Sequence, residues 1–207
     1  MFQLFIEDYK LLKVKKILIP ILFVLLFQTI SFAQTPQHSI HDLKTGKWKT
    51  DTTYVYQLPY TLGKRYLLIQ GYNSSFSHKN EIALDFKMKK GTPICAARDG
   101  VVTALREDSD KGGFKPEFLS EGNFIVVLHN DSTEAHYWHL QKDGAIVKEG
   151  DTVKTGQIIG YSGNTGYSAF PHLHFEVVNK LGQQIPTRFS TKKGMLYLRP
   201  GRKYKRV

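Results

Sequence analysis

The chain has 207 residues, room for one domain of ordinary size with short extensions. Its single cysteine, Cys95, excludes an intramolecular disulfide, so the fold rests on an apolar core. The net charge is +11, of which residues 1–33 contribute +2, and this balance favours anionic over cationic partners.

Residues 1–33 carry the pattern of an export leader. Lys10, Lys13, Lys15 and Lys16 precede an uncharged apolar run over 17–27, and Ser31-Phe32-Ala33 places small residues ahead of a cleavage point at Gln34. The run is shorter than the about 20 residues of a membrane span, so cleavage and export to the periplasm, envelope or exterior are expected, with an uncleaved anchor as the alternative. The acidic pair Glu7-Asp8 departs from the leader pattern. Residues 34–51 are polar and aperiodic and read as a linker or arm. His38 and His41 lie in it and carry little weight.

Residues 52–186 read as the folded domain. Short strand patterns follow one another over 53–58, 65–70, 82–87, 93–98, 100–105, 123–129, 135–140, 157–162 and 173–179, separated by Gly, Asn, Asp and Pro. No long stretch has helical periodicity. Asp99-Gly100 is a tight-hairpin signal between two of the runs. Residues 107–121 form a long charged and glycine-rich loop that interrupts another hairpin, as a mobile rim or a plain insertion. Many strands without crossover helices predict an all-β, antiparallel sandwich or roll. Cys95 reads as a small packing residue, with a nucleophilic role as the weaker reading. Residues 187–207 hold Arg188, Lys192, Lys193, Arg199, Arg202, Lys203, Lys205 and Arg206 and no acid. They read as a solvated, partly disordered basic tail, or as a means of retention on a polyanion. For an exported chain that polyanion is an envelope polymer or lipid surface rather than nucleic acid.

Chemistry concentrates in the histidines. In "PHLHFEV" (171–177) a strand sends Leu173, Phe175 and Val177 to one face and His172, His174 and Glu176 to the other. Two imidazoles side by side suit a metal ion or an acid–base pair, although a solvent-facing pair is the plainer reading of such a motif taken alone. In "IALDF" (82–86) Asp85 lies opposite Ile82, Leu84 and Phe86, where a carboxylate needs a cation or a histidine. His78 is an odd seven residues upstream, so it must occupy the preceding loop, with Lys79-Asn80-Glu81 folding it back. In "AHYWHL" (135–140) His136 and His139 fall on opposite faces of a strand, and one of them is expected at a site. His139 shares its face with Ala135 and Tyr137, while His136 reads as packed or superficial.

Four segments together resemble the M23 zinc metallopeptidases, the lysostaphin-type peptidoglycan endopeptidases: "SHKNEIALDFKMKKGTPICAARDGVV" (77–102), "YWHL" (137–140), "VKEGDTVKTGQIIGYSGNTG" (147–166) and "PHLHFEV" (171–177). They occur in the family's order over residues 77–177. The resemblance implies one Zn2+ held by His78, Asp85 and His174, catalytic roles for His139 and His172, and peptidoglycan stems or cross-links as substrate. Two features depart from the family pattern. Six residues separate His78 from Asp85 where three are commoner, and "YSAFPH" lacks a glycine before Pro-His, so that Phe170 narrows the cleft.

Three protein ligands leave a coordination position for water, as hydrolysis requires. No HExxH motif supplies a glutamate base. One of His139 and His172 is therefore expected to accept the proton, the other to donate to the oxyanion. Glu176 would orient a histidine or stay at the surface. Parts of the sequence also suit two other function classes. One is an envelope scaffold or regulator that binds peptidoglycan or activates another wall hydrolase without cutting. The other is a biotinyl-type carrier, suggested by "VKEGDTVKTGQIIG", but the corresponding "SGNTGYS" lacks the lysine that such a domain needs.

Overall fold

The computed structural model describes residues 38–50 and 54–207. The leader expected over 1–33 lies outside the described residues. In chain order the elements are α1 (Ile40–Lys44), β1 (Val55–Tyr56), β2 (Arg65–Gln70), β3 (Ala83–Lys87), β4 (Pro93–Cys95) and β5 (Gly100–Arg106). There follow β6 (Gly112–Gly113), a 3-10 turn (Pro116–Phe118), β7 (Phe124–Leu128), β8 (Glu134–Trp138), β9 (Leu140–Ala145) and β10 (Thr152–Val153). The last are β11 (Ile158–Ser162), β12 (Gly166–Tyr167), β13 (His172–Val178), β14 (Arg188–Thr191), β15 (Gly194–Leu196) and β16 (Arg202–Lys205).

An eight-stranded antiparallel sheet, in the order β10-β5-β7-β8-β13-β3-β2-β16, is the backbone of the domain. The expected all-β, antiparallel architecture is what forms. Smaller sheets β4-β11-β9, β1-β14-β15 and β12-β6 complete it, and among the described residues the parallel pairs are β1–β14 and β12–β6.

Alternation decides the faces. On β13, Leu173, Phe175 and Val177 are buried in the core, as are Leu84 and Phe86 of β3 and Ala135 and Tyr137 of β8. The Phe175 ring meets Tyr137 at 5.3 Å and Tyr56 at 6.4 Å edge-on, and Tyr60 meets Phe86 at 5.7 Å. Ile94, Ile159, Phe189 and Leu198 join the same cluster. Cys95 is fully buried there, in line with a packing role. The opposite face of β13 and β3 is left for polar side chains.

Three sequence expectations change. β4 and β5 do not form a hairpin at Asp99-Gly100: β4 pairs with β11, and β5 with β10 and β7. The Asp99 carboxylate is taken up by the Thr155 N–H and hydroxyl at 2.7 Å, so it fastens a different turn. Second, the aperiodic 34–51 segment contains α1, one turn with a reciprocal capping box between Ser39 and Asp42 and a buried Leu43. Third, the basic end is folded rather than solvated. β16 adds an edge strand against β2, Phe189 and Leu198 enter the core, and the buried Arg206 donates to the Tyr60 carbonyl at 2.8 Å. Three charged residues out of four hid a strand from which Tyr204, and just after it Arg206, pack inward. The 107–121 loop does interrupt a hairpin, β5–β7, but is tied down by β6–β12 pairing and by Arg106, Ser109 and Lys111 on Glu121.

Candidate metal centre

The site lies on the polar face where β3, β13 and the end of β8 meet. Asp85 and His174 are cross-strand partners, and Trp138 is the partner of His174 on the other side. The Asp85 carboxylate, 2% exposed, is the hub. Its Oδ1 lies 3.0 Å from His174 Nδ1 and 3.5 Å from His172 Nε2. Its Oδ2 lies 3.1 Å from His78 Nε2 and accepts a 2.7 Å bond from Gln70 Nε2.

His78 reaches the site as the odd spacing demanded. It precedes β3 in a turn closed by the Glu81 N–H on the His78 carbonyl (3.0 Å), with Asn80 at φ +63° in the left-handed region that asparagine tolerates. Its Nδ1 faces the carbonyls of Gly71 (3.2 Å) and Ala83 (3.1 Å). Two acceptors at Nδ1 fix the proton there and leave the Nε2 lone pair directed inward.

His139 arrives by a route that strand alternation does not give. Tyr137 points into the core, where its hydroxyl takes the Ala97 N–H at 2.8 Å, so a continued strand would have sent His139 the same way. β8 ends at Trp138 and His139 adopts φ +64°, which swings its ring back to the polar face. There it donates from Nδ1 to the Thr165 carbonyl at 2.7 Å. Gly163 fits beneath: a Cβ there would lie 2.4 Å from Gln141 N. His172 likewise donates from Nδ1 to the Phe170 carbonyl at 2.8 Å. The His139 and His172 rings are 4.7 Å apart, and those of His78 and His174 are 5.0 Å apart.

Charge is unevenly distributed. Burial pushes the Asp85 carboxyl up, but the imidazoles of His174 and His78 against its oxygens hold it well below the usual range. Burial lowers His174, and Asp85 more than reverses this, raising it to about 9. Burial lowers His139, and the neighbouring His172 and His174 drive it well below 6.5. Burial also lowers His172, with Asp85 opposing.

A divalent ion fits these donors. His78 Nε2 is a buried ring nitrogen with no aligned hydrogen-bond partner among the described residues. Donor atoms around a tetrahedral Zn2+ with bonds of about 2.0–2.1 Å stand about 3.4 Å apart, close to the contacts that Asp85 makes with both histidines. An ion would also replace the proton that His174 otherwise holds.

Sequence reasoning missed Gln70, which positions Asp85 while also binding Ser77 Oγ, and Thr165, whose carbonyl holds His139. Period 2 marks Gln70 as lying on the polar face of β2, but a lone glutamine gives no signal. Glu176 does orient a histidine, but it is His136 (3.2 Å), which is clamped by Glu134 on the other side. Phe170 stands beside the His172 ring at 5.6 Å and Lys87 lies over its face. Across the rim Phe76, Phe114 and Tyr167 stack in succession, at 5.7 and 4.6 Å, joining the His78 loop to the 107–121 loop and β12.

Four histidines and one buried aspartate thus converge where the polar face of an all-β domain meets the turn before β3, a donor set suited to a divalent ion. Residues 79–186 match the model of Peptidase family M23, and the chain belongs to that family. The match begins one residue after His78. Among relatives, the chain is 43% identical over 98 residues to glycyl-glycine endopeptidase ALE-1 of Staphylococcus capitis, covering 47% of this chain and 24% of that protein. It is 37% identical over 115 residues to peptidoglycan DD-endopeptidase ShyA of Vibrio cholerae, covering 53% and 24%. The catalytic domain of lysostaphin from Staphylococcus simulans aligns at 35% identity over 56% of this chain and 79% of that one, with a TM-score of 0.42. The matched region thus spans about a quarter of these curated relatives.

Proposed function

We propose that the chain is an exported, zinc-dependent endopeptidase that cuts peptide bonds in peptidoglycan stems or cross-links. The observation that carries this reading is the contact of one buried carboxylate, Asp85, with His78 and His174 at 3.0–3.1 Å, beside a second imidazole pair. His78, Asp85 and His174 would hold the ion. The substrate class is supported by the M23 membership and by relatives named as peptidoglycan and glycyl-glycine endopeptidases. Zn2+, when bound, supplies a Lewis acid that acidifies water to a pKa of about 7 and polarises a scissile carbonyl.

The protein's own contribution is proton handling and placement. His139 is neutral and its Nε2 lone pair is turned into the site by the Thr165 bond, so it accepts the nucleophile's proton. His172 keeps its own proton on Nδ1 against the Phe170 carbonyl and turns Nε2 toward Asp85, and once it gains a second proton it donates from Nε2 to the oxygen that becomes negative. With the rings 4.7 Å apart, a proton on one disfavours a proton on the other, and the pair works with one proton between them. Phe170 and the rim aromatics exclude bulky side chains, which suits side-chain-poor wall peptides. The positive net charge draws the chain to an anionic wall or membrane surface.

His139→Ala and His172→Ala should each abolish release of soluble fragments from purified sacculi while leaving bound zinc close to the wild-type level. Loss of zinc from both variants would overturn the division between holding and proton-handling residues.

A further inference from the structure

The turn that returns His78 to β3 carries an acid that the motif reading leaves unused. A Glu81 carboxylate oxygen and ring nitrogens of His78 and His174 all lie within 4.8 Å of one another. Glu81 is half-buried, and its carboxylate makes no hydrogen bond or ion pair among the described residues. The two Asp85 oxygens, by contrast, are already engaged by His78, His174, His172 and Gln70. The Glu81 main chain is pinned by its N–H on the His78 carbonyl, so its side chain has a fixed origin three residues from His78. Burial raises its carboxyl, and the His174 and His78 imidazoles beside it oppose that rise.

We propose that Glu81 is a further protein ligand of the ion held by His78, Asp85 and His174, delivered by the six-residue spacer, and that it caps the position needed by water until substrate displaces it. The proposal rests on the metal reading above. Charge supports it, because two carboxylates and two neutral imidazoles balance a divalent cation in a poorly solvated site. The long spacer thus becomes a device for holding the ion more tightly at the cost of resting activity.

The test uses the full chain and two variants, Glu81→Gln and Glu81→Asp, the second keeping the charge but shortening the reach. Zn2+ affinity is read by chelator competition and coordination by the visible absorption of the Co2+-loaded protein. Both variants are expected to bind Zn2+ more weakly by over about tenfold, the smaller end of what loss of an outer-sphere partner costs. The Co2+ spectrum should change in both, and at saturating Zn2+ the hydrolysis of sacculi should rise above the wild-type rate. An unchanged Co2+ spectrum, weakened affinity in Glu81→Gln alone, or hydrolysis at saturating Zn2+ no faster than wild type would each overturn the proposal. Failure of the wild-type chain to bind either ion would overturn the metal reading and the cap with it.

Discussion

Asp85 and His174 face each other across the β3–β13 ladder, Oδ1 to Nδ1 at 3.0 Å, each at the centre of its strand's polar face. Neither position depends on a flexible loop. The two donors nearest each other are therefore set by sheet register, and His78 is brought to them by a turn whose length can vary.

Gln70 is the residue that aims this carboxylate. Gln70→Leu removes the 2.7 Å bond to Asp85 Oδ2 and the link to Ser77. Zinc affinity should fall by about 10–100-fold, as for other partners of metal ligands, with a smaller effect on turnover of the fully loaded protein. Chelator competition checks the first, and turnover at saturating zinc the second.

His136 should make stability depend on pH. Burial lowers it, but Glu134 and Glu176 raise it to about 9, above the unfolded value near 6.5. The folded state therefore binds this proton more tightly. The stabilisation is complete below about pH 6.5 and is lost as pH rises through about 9. Its size is on the order of 2 kcal/mol, allowing for the more exposed Glu134. In urea unfolding, His136→Asn should be less stable than wild type at pH 6.5, and the gap should close by about pH 10.

The faces of β3 and β13 were legible because period-2 alternation survives in both, and the odd spacing of His78 and Asp85 correctly demanded a turn. The route of His139 was not legible. Alternation grouped it with Tyr137, a core residue, and only the positive φ after Trp138 returns it to the polar face. The same limit hid β16, because a strand made of Arg, Lys, Tyr and Lys advertises charge before it advertises packing. Glu81 and Gln70 were silent because single acids and amides acquire meaning only from their neighbours in space.

Deleting residues 202–207 removes the edge strand and the Arg206 bond to Tyr60 and exposes β2. The expected loss is about 3 kcal/mol or more, read as a lower urea midpoint, whereas removal of a solvated tail would leave the midpoint unchanged.

Phe114 joins two loops through its neighbours Phe76 and Tyr167. Phe114→Ala should cost only about 1 kcal/mol globally, the worth of one exposed aromatic cluster member. Limited proteolysis at Lys111 or Lys115 should nevertheless become much faster, because the stack holds the loop rather than the core. An unchanged cleavage rate would show that β6–β12 pairing alone secures it.

The central claim is that one carboxylate and two imidazoles share an ion. Metal analysis of the purified wild-type chain beside Asp85→Ala tests it most directly. Close to one zinc per wild-type chain and almost none in a folded Asp85→Ala is the predicted result. Zinc retained in full by Asp85→Ala, or absent from the wild type, would contradict it.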